Sequence, residues 1–259
     1  MARRLGRRKE PPREKHMLKE QVRGAGTFDE RTMVYLSKFF NLGIISSLDT
    51  PIAKGKEADL YLATPGSSEK VKDLDKVIVK FFRVETSSFF SMEDYIVGDP
   101  RFQRKTTRKS KHGIILVWCK KESDNLKAAE KAGVRAPRPL LTNGSILAMS
   151  YIGDEKGPAP KLKDVDLEKP VEVLEEILLD IKRLHEKRLV HGDVSEYNVL
   201  ILDGKPYMID FGQAVSTEHP KAMDFLRRDV KNIIYYFSKR YGIQKDQEET
   251  LKWVLKGKD

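Results

Sequence analysis

Hydrophobic residues along the chain follow two different periods, and the changes between them predict the elements. Helical spacing appears in five stretches, and short apolar runs bounded by turn residues in four. The predicted helices are 27–42, 113–132, 171–188, 222–241 and 248–255. The predicted strands fall within 44–63, 77–82, 145–152 and 199–209. The first helix is predicted to begin at a capping box formed by Thr27 and Glu30.

The last of the strand stretches contains a hairpin. Asp203-Gly204 lies between the apolar runs 199–202 and 207–209, and this dipeptide is a strong signal for a tight antiparallel turn. Asn198 and Asp210 would then lie together at the open end of the hairpin, with Asp193 on the loop leading to it. Carboxylate and amide oxygens are suitable ligands for Mg²⁺.

The spacing HGDxxxxN followed by DFG matches the protein-kinase pattern. Under this interpretation Asp193 and Asp210 are catalytic: Asp193 accepts the proton of the attacking group, and Asn198 and Asp210 hold the metal. The alternative is an ordinary turn rich in Asp and Asn.

Lys80 interrupts the apolar run 77–82. Because lysine is rarely buried unpaired, it lies either at a strand edge or opposite an anion. Similarity to the kinase V-A-I-K strand makes it the candidate that holds the α- and β-phosphates. Glu122 is the preferred partner and Glu130 the rival, while solvent exposure is the simpler interpretation of both glutamates.

Two other stretches are candidates for nucleotide contact. The turn around Gly55 could lie over phosphates, with Lys54 or Lys56 supplying charge, although, taken alone, an ordinary hairpin turn is the better interpretation. In the kinase interpretation, the backbone of Ser150 and Ile152 bonds the adenine edge and Met149 lies behind it. A core strand is the alternative there.

Composition narrows the class of protein. The chain has 259 residues and one cysteine, Cys119, so no internal disulfide can form. There is no secretory signal, and no apolar run is long enough to cross a bilayer. We therefore expect a soluble, cytoplasmic protein without membrane contact, and a monomer in preference to an oligomer.

The net charge of +10 is concentrated in two segments. Residues 1–23 carry nine Lys/Arg and three Glu, and residues 101–121 carry eight Lys/Arg and no acid. Such segments favour RNA or another polyanion, and the alternative is a solvated tail and loop. Residues 83–111 show no clear period and are rich in Ser and Thr, which indicates a functional or disordered loop and a place for self-phosphorylation.

With these residues in hand, the sequence resembles the RIO family of atypical serine protein kinases, and its first subfamily more than its second. The motifs are GKEADLY at 55–61, VIVKFF at 77–82, MSYIG at 149–153, VHGDVSEYNVLI at 190–201 and MIDFGQAV at 208–215. No winged-helix pattern typical of the second subfamily precedes them. The chain is most similar to the compact, archaeal-type members.

The resemblance implies an α+β, truncated bilobal kinase fold. The expected divisions are a basic, disordered tail at 1–22, an N-terminal helix and N-lobe at 23–150, and a hinge with a small, mainly helical C-lobe at 151–259. It also implies ATP with Mg²⁺ or Mn²⁺, serine phosphorylation with some ATP hydrolysis, and a role on the pre-ribosomal small subunit particle. Asp210 would be the site of the aspartyl-phosphate associated with the family.

Two other functions fit parts of the sequence. Small-molecule kinases of the aminoglycoside or choline type share HGDxxxxN, but they have a larger C-lobe than the residues after Val215 allow. A non-catalytic RNA-binding assembly factor on a kinase scaffold is the second alternative, and the presence of Lys80, Asp193, Asn198 and Asp210 argues against it.

Overall fold

The computed structural model describes residues 28–83, 89–102 and 110–256, and these form two lobes. The N-lobe is a five-stranded antiparallel sheet in the order β1-β2-β3-β5-β4, with a helix on each face. Its elements are α1 Glu30–Asn41, β1 Ile45–Lys54, β2 Ala58–Pro65, β3 Val77–Phe82, α2 Phe89–Ile96, α3 Lys111–Lys131, β4 Pro139–Asn143 and β5 Ile146–Ser150.

The C-lobe is mainly helical. Its elements are β6 Gly153–Asp154, β7 Gly157–Pro158, α4 Pro170–Glu186, β8 Leu189–Val190, β9 Val199–Leu202, β10 Lys205–Met208, β11 Val215–Ser216, α5 Ala222–Tyr241 and α6 Gln247–Leu255. The expected α+β kinase-like architecture is therefore present. No helix in the described ranges is both long and apolar enough to cross a membrane.

Strand β3 separates two hydrophobic clusters because its side chains alternate between the faces of the sheet. Val77, Val79 and Phe81 belong to the cluster beneath α1, whereas Ile78 and Phe82 belong to the larger cluster that continues through α3 into the C-lobe. Lys80 is two positions from both Ile78 and Phe82, so its side chain points to the same face of the sheet as theirs. The period of the strand thus directs the lysine toward α3 and the space between the lobes.

The hairpin predicted around Asp203-Gly204 is confirmed. Strands β9 and β10 pair antiparallel with Leu202 opposite Lys205. Asp203 and Gly204 both have positive φ, 51° and 71°, the combination that a two-residue type I′ turn requires. The open end of the hairpin then carries Asn198 before β9 and the DFG segment after β10.

Two local predictions need correction. The N-cap of α1 is Asp29, whose Oδ1 accepts a hydrogen bond from the Thr32 N–H at 2.6 Å, instead of the capping box at Thr27, a residue outside the described ranges. In the stretch expected to lack regular structure, residues 89–96 form α2. This helix buries Met92 and Ile96, which are four positions apart and so lie on one helical face.

Candidate active site

A cavity of about 530 Å³ opens between the N-lobe sheet and the β9–β10 hairpin. Its walls come from the β1–β2 turn, β3, α3, the residues after β5 and the residues flanking the hairpin. The candidate residues that line it are Lys54, Lys56, Lys80, Glu122, Met149, Ser150, Ile152, Asn198 and Asp210. Nine of the ten residues singled out from the sequence therefore face one space. The tenth, Asp193, adjoins it through Asn198.

Lys80 is held by two carboxylates. Its Nζ lies 2.8 Å from both Glu122 carboxylate oxygens and 3.2 Å from Asp210 Oδ1. Burial alone lowers the pKa of Lys80, but the charges of Asp210 and Glu122 raise it above its ordinary value, so the ammonium stays charged. Glu122 is therefore the partner of Lys80, and the rival Glu130 is exposed.

The loop that carries Asp193 is fixed by α5. Asp229, fully buried on α5, accepts hydrogen bonds from the backbone N–H groups of Gly192 at 2.7 Å and Val194 at 2.9 Å. Arg228 donates to the carbonyl of Gly192. The two peptide groups flanking Asp193 are thus anchored. Arg228 and Asp229 therefore brace the loop.

Gly192 adopts φ of 78°, and a Cβ built on it would lie 3.2 Å from the Gln213 carbonyl oxygen. A glycine is favoured there because other residues adopt this conformation only with strain. Asn198 Nδ2 donates to both the backbone oxygen and Oδ2 of Asp193, at 2.9 and 2.8 Å. Asn198 Oδ1 is left as the acceptor that can face a cation.

The segment that begins at Asp210 is held by α3. Asp210 adopts a left-handed conformation with φ of 63°, which is uncommon for a residue other than glycine. Buried Lys121 donates to the carbonyls of Gly212 at 2.7 Å and Ala214 at 2.5 Å. Asn125 Nδ2 donates to the carbonyls of Phe211 and Ala214, both at 2.8 Å. One helix therefore orients both Lys80, through Glu122, and the Asp210 segment.

Sequence reasoning missed Lys121 and Asn125. Both lie on the face of α3 that also buries Glu122 and Trp118, so this face is polar where it meets the segment. A signal was present, since positions 118, 121, 122 and 125 share one helical face. It was hidden because Lys121 was counted within a basic segment.

That basic segment is only partly available to a polyanion. Lys121 is fully buried, and Arg101 is engaged by Asp99 at 2.6 Å and by Asn125 Oδ1 at 2.9 Å. Lys121 and Arg101 are therefore not part of the polyanion-binding surface that was expected from residues 101–121. Residues 103–109 of that segment, and the basic residues 1–23, lie outside the described ranges.

Burial shifts the pKa values of the ionisable groups around the cavity. It lowers the pKa of His191 to about 4, so the imidazole is neutral near pH 7, and its Nε2 lies 3.2 Å from the carbonyl of Ile209. Burial, together with the charge of Asp210, raises the pKa of Asp193 to about 6. Lys80 keeps the pKa of Asp210 low.

The candidate hinge, Ser150 to Ile152, has fewer free backbone groups than its expected contact with adenine requires. The Ser150 N–H already donates to the carbonyl of Arg138 at 2.9 Å, and the Ile152 carbonyl accepts from the Ala159 N–H at 3.1 Å. The N–H of Ser150 is therefore not available to a ligand. Within the described ranges the N–H of Ile152 has no hydrogen-bond acceptor, so it can still donate to an adenine edge.

The β1–β2 turn closes the opposite side of the cavity. Gly55 N–H donates to the Ala58 carbonyl at 2.9 Å, and a Cβ on Gly55 would lie 2.9 Å from that same oxygen. The tight turn therefore needs glycine at this position. The exposed side chains of Lys54 and Lys56 flank it, with cationic groups beside the space where phosphates would lie.

The oxygen ligands available to a metal are few. No group of three or more His, Cys, Asp or Glu residues with metal-binding geometry occurs in the described part of the chain. Asp210, with a half-exposed side chain, and Asn198 offer two oxygens to the cavity. This suits a cation that takes its other ligands from phosphates and water.

Comparison with known protein families identifies the family of this chain. Residues 59–250 match the RIO domain. The chain belongs to the RIO family. Its relatives include two proteins described as RIO-type serine/threonine-protein kinase Rio1. The one from Haloferax volcanii is 38% identical, and the match covers 88% of this chain and 75% of that protein. The one from Thermoplasma acidophilum is 41% identical, and the match covers 70% of this chain and 94% of that protein.

This RIO chain also shares its fold with a solved structure. That structure is the Rio2 kinase from Chaetomium thermophilum, in a complex described as ADP/Mg²⁺-phosphoaspartate. It superposes on this chain with a TM-score of 0.67 and is 24% identical in sequence. The match covers 88% of this chain and 67% of the Rio2 chain. The predicted truncated kinase-like fold is confirmed. The RIO resemblance and the assignment to the protein kinases are confirmed by the Rio1 relatives, which also support the similarity to the first subfamily.

Proposed function

We propose that this RIO chain transfers the γ-phosphoryl group of ATP to serine or threonine hydroxyls, with some hydrolysis of ATP, and that it acts in maturation of the small ribosomal subunit. The observation that carries the proposal is the Lys80–Glu122 pair facing the same cavity as Asn198 and Asp210. Kinase chemistry consists mainly of positioning and charge stabilisation, and these residues supply both.

The nucleotide is proposed to lie with its adenine near Met149 and the Ile152 N–H and its phosphates toward Lys80. Lys54 and Lys56 add charge from the turn above. Mg²⁺, or Mn²⁺ in its place, would be held by Asn198 Oδ1 and Asp210, and it would neutralise charge on the phosphates. The ADP and Mg²⁺ described in the Chaetomium Rio2 complex support this proposal.

Asp193 is proposed to orient the attacking hydroxyl and accept its proton. The Asn198 amide holds one oxygen of the Asp193 carboxylate at 2.8 Å, which leaves its other oxygen to face the acceptor. As an ionised carboxylate, Asp193 can accept the proton directly. The same geometry would orient a water molecule, and this accounts for the ATP hydrolysis included in the proposal.

Asp210 is the proposed site of an aspartyl-phosphate intermediate or by-product. Its carboxylate is half exposed to the cavity, and Lys80 keeps its pKa low, so it is ionised and nucleophilic at neutral pH. The phosphoaspartate in the Chaetomium Rio2 complex supports this assignment. An ATP-driven switch on a ribosomal precursor is therefore the second candidate function.

The connection between Val215 and α5 favours that second candidate. Strand β11 ends at Ser216 and α5 begins at Ala222, so no segment resembling the peptide-binding region of classical kinases intervenes. The proposed role on the ribosomal precursor is supported by the family resemblance. Contact with RNA is proposed through residues 1–23 and through the basic residues of 101–121 other than Arg101 and Lys121, and the charge of these segments supports it. A cytoplasmic location is supported by the single cysteine, and a monomer is proposed as the oligomeric state.

The test is a steady-state assay with ATP, Mg²⁺ and a serine-containing peptide, in which ADP and phosphopeptide are measured in parallel. Phosphopeptide formation supports the kinase proposal, and ADP without phosphopeptide supports the ATP-driven switch. If neither product forms and the chain still binds RNA in a salt-dependent way, it is a non-catalytic assembly factor. Transfer to aminoglycosides or choline in preference to the peptide would indicate a small-molecule kinase.

A further inference from the structure

A second groove lies on the C-lobe beside the loop that carries Asp193. It has a volume of about 380 Å³ and runs between α5 and α6. One wall is a stretch of α5 that carries three exposed cationic residues, Arg227, Arg228 and Lys231. The other wall is the start of α6, with Gln247 and Glu248. None of these residues takes part in the nucleotide site.

The groove is joined directly to the residues that flank Asp193. Arg228 lies in the groove wall and donates to the Gly192 carbonyl and to the Tyr95 hydroxyl, the latter at 3.2 Å. Asn232, one turn further along α5, donates to the Val194 carbonyl at 3.5 Å. A polypeptide whose hydroxyl reached Asp193 would therefore bring its neighbouring residues over this wall.

The charge of the groove is positive. Its lining carries three cations against one carboxylate, Glu248, so the balance is +2. Arg227 pairs with Glu248 at 3.3 Å, but both side chains are more than half exposed, and such pairs are weak and easily exchanged. Lys231 makes no ion pair with any residue in the described ranges. The exposed side chains of Arg227 and Lys231 therefore remain available to an incoming anion.

We propose that this groove binds an acidic or phosphorylated side chain of the polypeptide acceptor, close in sequence to the hydroxyl that faces Asp193. The proposal rests on the proposed kinase function and adds a substrate class to it. Arginine suits both anions, since its planar guanidinium bonds carboxylate and phosphate in a bidentate way. The amides of Asn232 and Gln247 can pair with the acceptor backbone.

A polypeptide fits this groove better than RNA does. Binding of single-stranded nucleic acid uses aromatic side chains on which bases stack, and no aromatic residue lines the groove. The short stretch of positive charge, two to three groups along one helical turn, matches one or two anionic side chains. It does not provide the extended track that a phosphate backbone needs.

The experiment compares three serine peptides that differ only in the residues flanking the serine: glutamate, phosphoserine or lysine. With the wild-type chain, ATP and Mg²⁺, we expect the KM of the glutamate and phosphoserine peptides to be roughly 3- to 10-fold below that of the lysine peptide, as for two exposed charge contacts. The kcat values should differ little. A lower KM for phosphoserine than for glutamate would identify phosphate as the preferred anion.

Substitutions then locate the effect. Lys231→Glu should abolish the preference, and the milder double variant Arg227→Gln/Lys231→Gln should reduce it with little risk to folding. Lys252→Glu, an exposed change on α6 away from the groove lining, is the matched control and should keep the wild-type preference. The KM for ATP is measured in every variant.

Three outcomes overturn the proposal. Equal KM values for all three peptides with the wild-type chain exclude an anion site for the acceptor. A preference that survives Lys231→Glu places the site elsewhere. Inhibition of peptide phosphorylation by an RNA oligonucleotide, lost in Lys231→Glu while the peptides show no charge preference, assigns the groove to nucleic acid. Absence of both ADP and phosphopeptide defeats the kinase function itself, and is recognised by that loss of ADP.

Discussion

The Nζ atom of Lys80 lies 2.8 Å from both carboxylate oxygens of Glu122, with 11% of the lysine side chain and 1% of the glutamate side chain exposed. Burial raises the pKa of Glu122 to about 6, against the opposing effect of Lys80. The pair therefore depends on the lysine, because a buried carboxylate without a cation is costly.

Lys80→Met should lower phosphoryl transfer by at least about 100-fold, because the cation proposed to orient the phosphates is lost. It should also destabilise the fold by up to about 3–5 kcal/mol, since Glu122 is left buried without its partner. Activity and chemical denaturation measured on the same preparation check both effects.

The double variant Lys80→Met/Glu122→Gln separates the two causes. Removing the uncompensated charge should restore most of the free energy of unfolding without restoring activity. If activity returned together with stability, the lysine would be structural and its proposed role at the phosphates would be wrong.

Asp193→Asn should reduce kcat by about 10²- to 10⁴-fold, the usual contribution of a positioned base. The KM for ATP should change little, because Asp193 is proposed to contact the acceptor and not the nucleotide. Steady-state kinetics with ATP and peptide varied separately give both constants. A large rise in the KM for ATP at unchanged kcat would assign Asp193 to nucleotide binding instead.

The pH dependence follows from the raised pKa of Asp193. Burial and the neighbouring Asp210 raise this pKa to about 6, so the carboxylate becomes protonated, and unable to accept a proton, as the pH falls through that value. We expect kcat/KM for the acceptor to decrease by about tenfold per pH unit below about 6. The residual activity of Asp193→Asn should lack this limb, and a profile that is flat down to pH 5 would contradict the assignment.

Lys121→Met tests the link between α3 and the Asp210 segment. The variant removes two hydrogen bonds to the carbonyls of Gly212 and Ala214 while keeping a side chain of similar length. Groups that orient a ligand in this way typically affect metal affinity by about 10-fold or more, so the Mg²⁺ concentration for half-maximal activity should rise by about that factor.

Lys120→Met, at the exposed neighbouring position, is the control for Lys121→Met. Denaturation of both variants accounts for any general loss of stability. If Lys121→Met lowered stability alone and left the Mg²⁺ dependence unchanged, Lys121 would be a structural residue of the lobe interface.

The sequence predicted those parts of the fold that depend on local pattern. The Asp203-Gly204 turn and the helix at 222–241 follow from turn chemistry and from a period of 3.6, and both are present. The predicted start of α3 was two residues late, because Ser110 caps the helix by accepting from the Gly113 N–H at 3.1 Å.

The parts that could not be predicted depend on contacts between distant residues. Lys121 and Gly212 are 91 positions apart, so the helical face that Lys121 shares with Trp118 and Glu122 does not show which carbonyls the lysine contacts. The hydrogen bond from the Ser150 N–H to the Arg138 carbonyl likewise arises from the pairing of separate strands. Motif spacing identified the residues around the cavity, whereas the residues that position them emerge only from packing.

The most direct test is incubation of the chain with γ-labelled ATP and Mg²⁺, followed by acid, base and hydroxylamine treatment of the labelled protein and measurement of free phosphate. We predict an acid-stable label on serine together with released phosphate, both lost in Asp193→Asn; a hydroxylamine-labile label would mark Asp210. A wild-type chain that yields neither label nor phosphate, or an Asp193→Asn chain that matches it, would contradict phosphoryl transfer at this site.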